Sequence, residues 1–180
     1  MTLADVRIKI DKVDSEMKRL FIERMNLIDI IAEIKADSHD SIYKPEREAE
    51  IINRNSADID EYVRSEYKAF TKKIIGLSRK YQYEKLISNC DPDFLEKIRS
   101  INDGKVKFSF KTPIDGRDIP RIMSLINDYE VNVTGFELAA VPEDTLIESV
   151  LVQIDYDSDN SKHMALLFQL KEETSDFMIV

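Results

Sequence analysis

The chain has 180 residues, of which 43 % are hydrophobic and 34 % charged, and it carries a formal net charge of −9. An acidic chain without a basic tail excludes nucleic acid as a natural partner, because phosphate backbones reward clustered Lys and Arg. No apolar run reaches membrane-spanning length, and one cysteine, Cys90, permits no internal disulfide, which fits a reducing cytoplasm.

From the N-terminus, Met1–Ile10 alternates charged and apolar residues as the start of a helix does, not a secretory leader. Thr2 or Asp5 can cap a helix running from Leu3 to Ala36 without Gly or Pro. Its apolar stripe steps by three and four through Val6, Ile10, Val13, Met17 and Leu20, then through Leu27 or Ile28 and Ile31. Arg24 and Lys35 stand where that stripe should continue, and Arg7 adjoins its start. A cation on a core-facing stripe needs facing carboxylates or an anionic ligand, since burying it unpaired is costly. Arg24 and Lys35 lie roughly 16 Å apart along the axis and about 20° apart around it, so both can lean toward one small molecule. Arg7 is about 25 Å from Arg24 and can join them only from a second, antiparallel chain. A helix of about 35 residues spans roughly 50 Å, and an intertwined dimer is the simplest way to bury its stripe. The other reading is that the cations reach past the stripe to solvent, and for Arg7 alone that is the better one.

A turn at Asp37–Ser41 follows, in which His39 reads as solvated or capping rather than as a ligand or base. Pro45 is placed to open a second helix through Asn55, with Arg47 and Glu48 in its first turn. Asp58 or Asp60 begins a third helix with the stripe Val63, Tyr67, Phe70, Ile74, Leu77 and Tyr81. Beside that stripe lies a more polar one of Thr71, Ile75, Ser78 and Gln82, in which Ser78 and Gln82 are one turn apart.

The texture changes near residue 90, and two domains are expected: an all-helical one over 1–88 and an α+β one over 105–180, joined by a linker at 89–104. Charge divides the same way, with 20 acids against 19 Lys and Arg in residues 1–100 and 15 against 7 in residues 101–180. In the linker Asp91-Pro92 is a breaker, Phe94–Ile98 a short helical turn, and Cys90 an inert thiol without activating neighbours. Beyond it Val106, Phe108 and Phe110 alternate as a strand, and Ile119, Ile122, Met123 and Ile126 mark a helix. Strands at Val131–Leu138 and Ile147–Tyr156, a helix at Lys162–Glu173 and a strand at Phe177–Val180 complete the order β-α-β-β-α-β. That order puts two helices on one face of an antiparallel sheet, as a small ligand-binding or dimerising module. Asp155, Asp157 and Asp159 lack the glycine and distal glutamate of a calcium loop and read as a solvated turn, and His163 as a capping residue. No metal or cofactor is implied.

As a set, residues 3–85 resemble the all-helical class of chorismate mutases. Val6-Arg7-Ile8-Lys9-Ile10-Asp11 is similar to that family's opening helix, and Glu23-Arg24-Met25 with Ile31-Ala32-Glu33-Ile34-Lys35 to its central cationic pair. Tyr43-Lys44-Pro45-Glu46-Arg47-Glu48 resembles the start of its second helix, and Gly76-Leu77-Ser78-Arg79-Lys80-Tyr81-Gln82 the polar end of its third. The resemblance implies a three-helix intertwined dimer that converts chorismate to prephenate without a cofactor. It also implies roles: Arg7 of the partner chain and Arg24 grip the substrate carboxylates, and Lys35 and Gln82 donate to the ether oxygen. Arg47 and Glu48 orient the ring hydroxyl and a carboxylate, Ser78 adds a hydrogen bond, and Ile31 and Ile75 supply apolar walls. Lys44 departs from the pattern, standing where many members carry an acidic residue, which bears on substrate affinity. Two other readings stay open: an isochorismate pyruvate-lyase, which shares the helical fold, and a non-catalytic sensor of an aromatic metabolite.

Residues 105–180 resemble an ACT domain, a regulatory module of amino-acid biosynthesis, through Asp115-Gly116-Arg117-Asp118-Ile119-Pro120, Val131-Asn132-Val133-Thr134-Gly135-Phe136-Glu137 and Lys171–Phe177. The resemblance implies feedback by phenylalanine or tyrosine, held near Asp115, Gly116 and Asn132 at an interface between modules. Arg117-Asp118 and Leu138-Ala139 depart from the dehydratase-linked pattern, and a purely dimerising module is the alternative.

Overall fold

The structure, a computed structural model, describes residues 1–38, 40–141 and 144–180. His39, expected in the first turn, lies outside the described residues. The chain forms two compact units, Met1–Asp40 and Ser41–Val180.

The first unit is a single helix, α1 (Leu3–Ser38), two residues longer than its pattern predicts. Thr2 and Asp5 close its start reciprocally: the Thr2 amide donates to Asp5 Oδ2 at 2.7 Å and the Asp5 amide to Thr2 Oγ1 at 3.2 Å. Along the apolar stripe Val13, Met17 and Leu20 are 58 %, 45 % and 49 % exposed in a single copy.

The second unit starts with α2 (Pro45–Ser56) and α3 (Glu61–Lys85). Pro45 occupies the first helical turn of α2, where its missing N–H costs nothing. After a short 3₁₀ turn, the stretch expected as a linker holds α4 (Pro92–Arg99), a complete helix whose Asp91 cap accepts from the Phe94 amide at 2.8 Å. Its Ile98 is fully buried, and the Ile98 carbonyl accepts from the Tyr156 hydroxyl at 2.9 Å.

Next come β1 (Lys105–Pro113), α5 (Ile119–Asp128), β2 (Val133–Val141), β3 (Asp144–Asp155), α6 (Ser161–Glu173) and β4 (Ser175–Ile179). The four strands form one antiparallel sheet in the order β2-β3-β1-β4. β1 and β3 put Phe108 opposite Val152 and Phe110 opposite Val150, and all four are buried against the helices. Alternation gives each strand one core face. Helix α6 departs from the amphipathic rule: Met164 to Leu170 are buried without interruption. A helix whose middle is buried all round sits between two layers, and α6 has the sheet on one side and α3 on the other, where Tyr83 meets Phe168 edge to face at 5.1 Å. No helix among the described residues is long and apolar enough to cross a membrane.

Candidate functional site

The expected site residues fall on three helices and divide between the two units. On α1, Arg7 is exposed, while Arg24 and Lys35 are intermediate and Ile31 is 41 % exposed. Partial burial makes the Arg24 guanidinium lose its proton more readily than an ordinary arginine, an effect that a bound anion would offset.

On α3, Ile75, Ser78 and Gln82 are 8 %, 3 % and 5 % exposed. Both polar side chains bond back to their own helix: Ser78 Oγ donates to the Ile74 carbonyl at 2.8 Å, and Gln82 Nε2 to the Ser78 carbonyl at 3.1 Å. Gln82 Oε1 has no hydrogen-bond partner among the described residues. A buried amide with an unused acceptor is costly for the fold unless a ligand or solvent group completes it.

On α2 the two neighbouring residues diverge. Arg47 turns outward and pairs with Glu50 at 3.1 Å, an exposed contact of small energetic weight. Glu48 turns inward, to Arg79 of α3. Arg79, 9 % exposed, also donates from Nε to Glu173 Oε1 at 2.9 Å, and the Glu173 side chain is wholly excluded from solvent. Glu173 in turn accepts from Arg121 Nη1 at 2.9 Å and from Gln169 Nε2 at 2.7 Å, and Gln169 Oε1 accepts from the Tyr129 hydroxyl at 2.9 Å. The Tyr43 ring lies 4.9 Å from the Arg79 guanidinium carbon and 5.4 Å from that of Arg121.

Burial raises the Glu48 carboxyl above the ordinary glutamate value, because Arg79 is shared with Glu173 and offsets only part of the desolvation. Burial works against the Arg79 charge as well, but Glu173 and then Glu48 outweigh it, so the guanidinium holds its proton more firmly than usual. The sequence assigned no role to Arg79, Arg121, Glu173 or Tyr43, although Tyr43, Arg79 and Glu173 stand inside stretches that carry the two resemblances. For the three charged residues the only local signal is a charge on a helix face, and what identifies them is pairing across 94 and 52 positions of chain; Tyr43, just ahead of α2, is identified by the two guanidiniums against its ring.

The residues expected to hold an effector are not brought together within one chain. Asp115 pairs with Arg117 at 2.6 Å in the turn after β1, where Gly116 adopts φ +62°. Asn132 donates to Asp155 Oδ2 at 3.0 Å just before β2. Asp155 lies opposite Lys105, at the start of β1, so Asn132 and Gly116 sit at opposite ends of that strand, roughly 25 Å apart. A single small ligand could touch both only across two copies.

Of the remaining candidates, Cys90 is buried and its thiol is pushed up to about 11 by that burial, which leaves it unreactive at neutral pH. His163 Nδ1 accepts from the Asp157 amide at 2.9 Å, closing the turn before α6. In that turn Asp157 accepts from the Asp159 amide at 2.9 Å. Among the described residues no group of three or more His, Cys, Asp or Glu is arranged to hold a metal ion.

Residues 6–83 match the family model described as chorismate mutase type II, a family of isomerases, over somewhat less than half of the chain. Searches of curated proteins and of solved structures gave no match.

Proposed function

We propose that α1, α2 and α3 build the active site of a chorismate mutase, which converts chorismate to prephenate by an intramolecular Claisen rearrangement. The observation that carries this reading is the family match over residues 6–83, inside which Arg7, Arg24, Lys35, Arg47, Glu48, Ser78 and Gln82 all stand.

In this rearrangement an ether C–O bond breaks as a C–C bond forms, with no proton or electron exchanged with the protein. Catalysis then consists of folding the substrate into a reactive geometry and stabilising the charge that gathers on the ether oxygen. Arg24 and Arg7 of the partner subunit grip the two carboxylates with the planar fork that suits them. Lys35 and Gln82 donate to the ether oxygen, Gln82 through the Nε2 hydrogen that the Ser78 carbonyl does not take. Glu48 and Arg47 orient the ring hydroxyl and a carboxylate, Ser78 adds a hydrogen bond, and Ile31 and Ile75 wall the ring.

The site is completed by a second copy. The exposed apolar stripe of α1 supports that assembly, since a row of uncovered aliphatic side chains is the face that an antiparallel copy would bury. In the same proposal residues 1–88 are the catalytic half and residues 105–180 an ACT-like regulatory half that takes phenylalanine or tyrosine between copies. Support for the regulatory half is the α+β region with its four-strand antiparallel sheet, and the separation of Asn132 from Gly116 suits a site shared between copies.

Loss of chorismate absorbance with purified protein tests the reaction, and acid conversion of the product to phenylpyruvate identifies prephenate. Release of pyruvate instead would mean lyase chemistry, and no loss of chorismate would remove the enzymatic reading altogether. Phenylalanine and tyrosine, added separately, test the regulatory half.

A further inference from the structure

A cleft of about 640 Å³ opens between α2 and α3 on one side and α5 on the other, within the second unit. Ile75, Ser78 and Gln82 do not line it, and Glu48 is the one proposed substrate contact at its edge. Five cationic side chains and three carboxylates line it. Asp115 pairs with Arg117 from just outside the lining, which leaves a small positive excess on a chain of net charge −9.

Not all of that charge is spent internally. Arg79 uses Nε for Glu173 and Nη1 for Glu48, which leaves Nη2 without a partner among the described residues. Lys72, exposed on α3, makes no ion pair among the described residues. Apart from Ser124 the rest of the lining is apolar or aromatic, with Tyr43, Ile52, Ala69, Pro120 and Leu125 around the cations. A few convergent charges in an otherwise apolar concavity are what a small organic ligand needs for orientation and affinity.

Gly76 points to the same conclusion from a different direction. It lies in the interior of α3 and lines the cleft, and a Cβ built on it would meet nothing within 4 Å. A mid-helix glycine costs about 1 kcal/mol against alanine, and here no close approach of a neighbour requires it. What the missing side chain leaves is open volume in the cleft.

We propose that this cleft binds a small organic carboxylate with an apolar body, its carboxylate held by Arg79 Nη2 and Lys72 and its body over Gly76. Such a ligand competes with Glu48 for Arg79 and so alters substrate affinity, a consequence that rests on the mutase reading.

Phenylacetate is the probe, with acetate, inorganic phosphate and benzylamine as comparisons, and binding to the full chain is followed by amide chemical shifts. Saturable shifts on α3 and α5 with a Kd below about 1 mM are expected. Acetate and phosphate should bind about tenfold or more weakly for lack of an apolar body, and benzylamine not at all. Lys72→Glu should weaken phenylacetate several-fold, and Gly76→Leu should abolish its binding while leaving the urea midpoint unchanged or higher. Absence of saturable binding, equal binding of benzylamine or phosphate, or unchanged affinity in Gly76→Leu would overturn the proposal. These readouts need no turnover, so an inactive protein that binds phenylacetate leaves the cleft standing and removes the mutase reading. In an active protein, phenylacetate should change KM for chorismate with kcat nearly constant.

Discussion

Arg79 and Glu173 meet at 2.9 Å across 94 positions of chain, and the Glu173 side chain has no solvent exposure. This pair ties α3 to the C-terminal end of α6, and through Glu48 it fixes the start of α2 as well. One buried carboxylate serves two guanidiniums and a Gln amide, so its removal strands several polar groups at once.

Glu173→Ala should therefore destabilise the fold by about 3–5 kcal/mol, the range for breaking one side of a buried ion pair. Urea denaturation measures this, and a loss under about 1 kcal/mol would mean that water replaces the carboxylate without strain.

Gly76→Ala should raise stability by about 0.5–1 kcal/mol, because the helix gains a favourable residue in space that holds no neighbour. Thermal or urea unfolding reads it directly. A decrease would show that the site is filled.

Glu48 gives a pH dependence with a definite sign. Its folded pKa lies above the ordinary value, so its contribution to stability is fully present below the unfolded pKa and fades as pH rises through the folded one. Relative to Glu48→Gln, the unaltered protein should lose ground as pH climbs from the ordinary glutamate range toward neutrality. Paired denaturation curves across that range would show the reverse trend if Arg79 dominated over burial.

Lys35→Ala should lower kcat by about 10²–10³, the scale for removing one donor to a developing oxyanion. Near-normal turnover would strip Lys35 of its role. An equal mixture of Arg7→Ala and Lys35→Ala chains, refolded together, should recover about a quarter of normal activity, because a mixed dimer keeps one intact site of two. No recovery would mean that Arg7 acts within its own chain.

Leu20→Asp places a charge in the exposed stripe of α1 and should turn a dimer into monomers, read by sedimentation, with activity lost in step. A variant that stays dimeric and active would locate the interface elsewhere.

Much of this molecule was legible residue by residue. The Thr2 and Asp5 cap, the proline that opens α2, the strand alternation at Val106, Phe108 and Phe110, and the cations within the α1 stripe all follow from local periodicity and capping chemistry. Periodicity tells which face of an element turns inward but not what it will meet. Among 26 Lys and Arg and 35 acids, nothing local selects Glu173 for Arg79 or distinguishes inward Glu48 from outward Arg47. Only the tertiary structure wraps α6 on both sides, completes α4 where a linker was expected, and sets Asn132 at the far end of β1 from Gly116. Each of these depends on contacts between segments far apart in the chain, where packing and charge pairing choose among many partners that the sequence leaves equivalent.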